Sequence, residues 1–208
     1  MLSLFLTLGF LAFGQAPSVH PTLDRASYTV KFNWKKGAAA AVSPGNTMPG
    51  EVAVQRFDGI QSSKITWVDG KRTEDWSDGS ILVTRSSVGG WLNVINMRST
   101  EDPSVWRPLT LPAFGSWAKN GAFKGEEVIQ NQRVLRFERK SPSDAGIEIL
   151  WIDAVSLLPV AYEDSDLTAR IIFWEAPASP LSMPGEYSAK LARFRELDAA
   201  PVRISRGR

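Results

Sequence analysis

The chain has 208 residues, a formal net charge of +2 and no cysteine. The missing cysteines exclude disulfides, thiolate zinc sites, cysteine nucleophiles and a lipid-acceptor cysteine near the start. Lysine, arginine, aspartate and glutamate are interspersed, so no basic stripe marks a nucleic-acid surface, and no nucleic-acid partner is expected.

Residues Leu2 to Phe13 are almost entirely apolar and uncharged, and small residues follow at Gly14 and Ala16. That is the layout of a secretory signal with a small-residue cleavage site, although no Lys or Arg precedes it. A signal peptide over 1–16 is expected, with a mature start at Gln15 or Pro17 and a periplasmic or otherwise exported location. A spanning helix needs roughly 20 apolar residues, and this run is shorter. No transmembrane span is therefore expected in the mature chain. A β domain over 17–185 and a short helix with a basic tail over 186–208 complete the expected organisation.

Ser27 to Trp34 alternates in polarity and predicts the first strand. An Ala-, Gly- and Pro-rich loop follows over 35–50. Three Asp-Gly pairs then come in quick succession, Asp58-Gly59, Asp69-Gly70 and Asp78-Gly79. Asp-Gly accepts the positive φ angles of a type I′ turn, so each pair predicts a hairpin. Strands are predicted at Glu51–Phe57, Ser63–Val68, Ile81–Arg85 and Trp91–Met97. Residues 99 to 124 are broken by Pro103, Pro108, Pro112, Gly115 and Gly121. They nevertheless carry Trp106, Leu109, Leu111, Phe114, Trp117 and Phe123. Long apolar connections of this kind are often lids or binding loops, and a short helical turn is expected near Phe114 to Lys119. Strands resume at Glu127–Gln130, Arg133–Arg139, Ile147–Asp153, Leu158–Glu163 and Thr168–Trp174. Tyr187, Leu191 and Phe194 have the spacing of one short amphipathic helix.

Catalytic chemistry has little material. His20, the only histidine, lies just beyond the expected cleavage site, so no Ser-His-Asp triad is expected, and a multi-histidine metal site within one chain is excluded. Asp69, Glu74, Asp75 and Asp78 form one acidic group and Glu163, Asp164 and Asp166 a second. Both sit where turns want aspartate for backbone reasons. No catalytic residue, metal ligand or cofactor is expected.

The run Ile147-Glu-Ile-Leu-Trp-Ile-Asp153, the step Leu158-Pro159-Val160, and then Thr168 and Phe173 resemble the closing strands of the outer-membrane lipoprotein carrier superfamily. LolA, LolB and RseB are its relatives. The upstream Trp67-Val-Asp-Gly70 and Trp76 fit the same layout. The resemblance implies a mainly β fold, a single curved antiparallel sheet forming an incomplete β-barrel under a loop and short-helix lid. The usual amphipathic helix before the first strand is short here, because Pro21 interrupts Ser18 to Ala26.

Eight tryptophans stand out. They can fill the core between sheet and lid, or line a cavity for an acyl chain or an apolar peptide. On the second reading the ligand-binding residues are Trp67, Trp91, Trp106, Leu109, Leu111, Phe114, Trp117 and Trp151. The expected function is then a non-catalytic carrier of lipid or of lipoprotein acyl chains. The alternatives are an RseB-like module that senses or holds an envelope protein and, third, an exported hydrolase using the Asp69–Asp78 acids.

Overall fold

The computed structural model describes residues 24–36, 48–79, 81–85, 89–96, 118, 121–141 and 146–199. Eleven strands form one sheet with antiparallel pairing throughout. They are β1 (Arg25–Trp34), β2 (Pro49–Phe57), β3 (Ile60–Trp67), β4 (Arg72–Ser77), β5 (Ile81–Arg85) and β6 (Leu92–Asn96). β7 (Ala122–Ile129), β8 (Gln132–Lys140), β9 (Ile147–Asp153), β10 (Pro159–Glu163) and β11 (Leu167–Trp174) follow. The order across the sheet is β6-β5-β4-β3-β2-β1-β11-β10-β9-β8-β7. Two meanders, each pairing strands in chain order, are therefore joined by one long-range junction between β1 and β11. The sheet does not close: β6 and β7 are its edges.

Register explains why the alternating sequence makes two distinct faces. Tyr28 lies opposite Phe173 on one side and Val54 on the other, and Val30 opposite Ile171 and Val52. Leu150 lies between Tyr162 and Phe137. These residues build one apolar layer that runs from Ile65 in β3 to Leu135 and Phe137 in β8. The Tyr28 and Phe173 rings meet with centroids 5.5 Å apart, within the range where aromatic pairs add to plain burial. This is the core face.

The opposite, outer face has its own smaller cluster. Trp76, Ile81 and Val83 point away from the core face and are covered by the helix Gly185–Ala199 through Tyr187 and Leu191, with Phe194 packed beside them. Arg85 pairs with Glu186, and Arg195 with Asp78, at the flanks of this contact.

All three Asp-Gly glycines have positive φ, +88° at Gly59, +83° at Gly70 and +90° at Gly79. Only Asp58-Gly59 is a type I′ turn, because Asp58 is itself at +46° while Asp69 and Asp78 are not in the positive region. The other two turns use their aspartate differently. Asp69 Oδ1 accepts the Lys71 N–H (3.1 Å) and Asp78 Oδ1 accepts the Ile81 N–H (3.0 Å). The loop over 68–70 is a type I turn followed by a left-handed glycine, the usual three-residue hairpin.

Candidate functional site

The core face has an aromatic rim and a charged rim. At the first, Trp34 Nε1 donates to the Pro49 carbonyl (2.8 Å), and Pro49 is the register partner of Trp67. Trp67 Nε1 in turn donates to Thr73 Oγ1 (2.9 Å). Both indoles are half-buried and pack on the core cluster with their polar atoms satisfied. At the other, Arg139 Nε donates to the buried carboxylate of Glu148 (2.6 Å). Nearby Tyr162 is buried, and burial first, then the Asp164 and Glu148 charges, push its phenol pKa well up. The phenol therefore stays neutral across the physiological range. Between the rims lie Tyr28, Phe137, Leu150, Ile152 and Leu167, all essentially inaccessible.

The connection between β6 and β7 reaches this layer. Ala118 has helical backbone and is buried in the core cluster. Trp106, Leu109, Leu111, Phe114 and Trp117, expected as ligand-binding residues, lie outside the described residues, as does the region of the expected signal peptide.

The three described tryptophans of that expected set are not gathered in one place. Trp67 is on the core face. Trp151 alternates with Leu150 and Ile152 and so points to the outer face, where its Nε1 donates to Glu127 Oε2 (3.1 Å). Trp91 precedes β6, is 56% exposed, and lies over Gly89, where an added Cβ would stand 1.9 Å from its ring. Of the remaining tryptophans, Trp76 is buried under the helix, and Trp174 is exposed on the outer face with Nε1 donating to Thr29 Oγ1 (3.0 Å).

The acidic groups resolve into turn and sheet roles. Glu74 and Asp75 are neighbours in a strand and point to opposite faces. Glu74 accepts the Trp76 indole N–H (2.9 Å), and Asp75 is buried on the core-face side. Asp69 and Asp78 sit at opposite ends of β4. Asp164 Oδ1 accepts the N–H groups of Asp166 (2.8 Å) and Leu167 (2.9 Å), which makes the β10–β11 turn. Glu163 is paired with Lys35 (2.8 Å). Among the described residues no three metal-ligating side chains converge, and the Asp69–Asp78 acids do not form a carboxylate pair across a cleft.

A groove of about 400 Å³ opens on the outer face at the β1–β11 junction. Its apolar wall includes Trp151, Val134 and Ala161, and its polar wall Lys31, Thr168 and Arg170. Nothing in the alternating sequence distinguished these polar residues from an ordinary solvated face.

No protein-family model matches the chain, and no curated protein matches it in sequence. Among solved structures it is similar to LprF from Mycobacterium bovis, at 12% identity and a TM-score of 0.39, over 78% of this chain and 90% of that one. No helix among the described residues is long and apolar enough to cross a membrane.

Proposed function

We propose that this protein is an exported, non-catalytic carrier or binding protein for lipid or for the acyl chains of a lipoprotein. The ligand is held between the core face and the connection joining β6 to β7. The observation that carries this reading is the core face itself. One apolar layer extends across both meanders of an open sheet, and the helix Gly185–Ala199 packs on part of the other face, over β4–β6. Ala118 brings the apolar connection down onto that layer. The tryptophans, leucines and phenylalanine flanking Ala118 in sequence supply further apolar groups for an acyl chain. Binding energy of this kind accrues at about 0.8 kcal/mol per buried CH₂, so release requires a movement that re-exposes the chain.

Native mass spectrometry of the protein purified from its own host tests this. Co-purified lipid of discrete mass, exchangeable for a fluorescent fatty acid, is the expected result. A bare polypeptide mass together with no fatty-acid binding would overturn it. The second reading, a module that holds an envelope protein, is favoured by one separate feature. The edge strand β7 exposes Val128 and Ile129, apolar side chains on a strand that, among the described residues, is paired on one side only.

A further inference from the structure

The outer-face groove breaks local rules of sheet construction at three points around its wall. Lys31 in β1 stands directly opposite Arg170 in β11, on the same face. Like charges placed opposite each other across a strand pair destabilise a sheet. Lys31 is 3.7 Å from Glu51, whereas Arg170 makes no ion pair or side-chain hydrogen bond among the described residues. The second point is the β9–β10 ladder, which slips at Val160 between Pro159 and Ala161. That irregularity turns Val160 toward the groove alongside Ala161, and bulges are over-represented where a side chain must be re-aimed. Third, the β7–β8 hairpin closes on Gln130 (φ +50°) and Asn131 (φ +66°), a two-residue turn with no glycine. Gln130 there lines the groove. Departures from local rules that coincide at one place are expected at functional sites.

We propose that this groove is a second ligand site, for a small amphipathic anion. Its carboxylate or phosphate sits on Lys31 and Arg170, and its apolar body lies against Trp151, Val134, Ala161 and Ile129. Charge complementarity argues for the anion. Of the other charged groups in reach, Glu163 is occupied by Lys35 (2.8 Å), and Glu127 is held by Arg136 (3.0 Å) and by the Trp151 indole. Lys31 is offset by Glu51 (3.7 Å), so the unbalanced charge at the junction is the Arg170 guanidinium, with the Lys31 ammonium facing it across the strand pair. An anion between the two cations removes their repulsion, and the indole, fixed through Nε1, presents its ring rather than a free donor. The site lies on the face opposite the proposed acyl-chain layer, so the two readings stand or fall separately.

Isothermal titration of the full chain with octyl phosphate, below its micelle concentration, tests the site. Inorganic phosphate and octanol serve as the two half-ligands. Saturable one-to-one binding of octyl phosphate is expected, at least tenfold tighter than either half-ligand and weakened by salt. Arg170→Gln and Lys31→Gln should each weaken it at least fivefold, and Arg170→Gln should raise or preserve the melting temperature of the free protein because the like-charge pair is gone and no ion pair is lost. Trp151→Leu should weaken octyl phosphate without changing the binding of inorganic phosphate. Octyl phosphate binding unaffected by both charge substitutions, binding matched by octanol or by inorganic phosphate, or no binding at all would each overturn the proposal.

Discussion

Tyr187 donates its phenol proton to the backbone carbonyl of Glu74 at 2.8 Å, across a sequence separation of 113 residues. Arg85 Nε donates to the same phenol oxygen (3.2 Å), and the arginine also lies over the ring face, 5.4 Å from its centroid. One side chain thus fastens the helix Gly185–Ala199 to β4 and β5 and fills the outer-face cluster beneath it. Tyr187→Phe keeps the ring and removes the hydroxyl. It should cost about 1 kcal/mol, plus any penalty for the carbonyl left without its donor. Tyr187→Ala also opens a cavity and should cost about 3–5 kcal/mol. Urea denaturation followed by far-UV circular dichroism measures both. Equal, negligible losses would mean that the helix is not docked as described.

Gly59 tests the type I′ turn among the three Asp-Gly pairs. Its φ of +88° leaves open space around an added Cβ, so the penalty for a side chain there is backbone strain alone. Gly59→Val should destabilise by at least about 1 kcal/mol. A midpoint of denaturation identical to the parent would contradict the left-handed geometry at this position.

Asp153 gives a pH signature. Its Oδ1 accepts the N–H groups of Ser156 (2.6 Å) and Val155 (3.1 Å), and Oδ2 accepts from Gln132 Nε2 (2.7 Å). The Ser156 bond is the main cause of a carboxyl pKa lowered to about 2. A lowered folded-state value means that the stabilisation is present above the unfolded pKa, near 4, and is lost as pH falls toward about 2. The group is largely solvated, so screening limits the effect to at most about 1 kcal/mol. Asp153→Asn should therefore lower stability by that order at pH 7 and flatten the acid limb of the stability curve between pH about 4 and 2. An acid limb identical in parent and variant would show that the turn does not depend on the charged form.

These elements also show where sequence reading succeeds and where it stops. Ile147–Asp153 is a strand with the boundaries its alternation predicts. The strand Arg72–Ser77 is harder to see, because Arg-Thr-Glu-Asp-Trp-Ser carries one large apolar residue and is held in place by its neighbours. The first half of β7 is obscured by Gly125 and the ladder irregularity between Phe123 and Gly125, which break the period of two. Site residues pose a different difficulty. Trp67 and Trp151 are equivalent by composition, yet strand register sends them to opposite faces. Register is a relation between distant strands, so no local window contains it. For the same reason Lys31 and Arg170 read as two separate solvated side chains until β1 and β11 are paired. The only local hints at the groove were Pro159 beside Val160 and a glycine-free turn at Gln130-Asn131.

Ala118 distinguishes a filled core from a lipid cavity. Of the described residues of the β6–β7 connection, Ala118 and Gly121, it is the one buried in the core cluster. In a fully packed core a larger side chain has nowhere to go, and Ala118→Leu should cost about 1–3 kcal/mol through overpacking. If acyl-chain space lies beside it, the added carbons occupy that space instead. The variant then keeps its denaturation midpoint and near-UV spectrum but loses affinity for a fluorescent fatty acid. The carrier reading predicts the second pattern, with binding weakened several-fold and stability within about 0.5 kcal/mol of the parent. Destabilisation by overpacking, with no fatty-acid binding in either protein, would make the connection ordinary core. The exposed edge at Val128 and Ile129 would then be the better guide to function, and a protein partner the better-supported ligand.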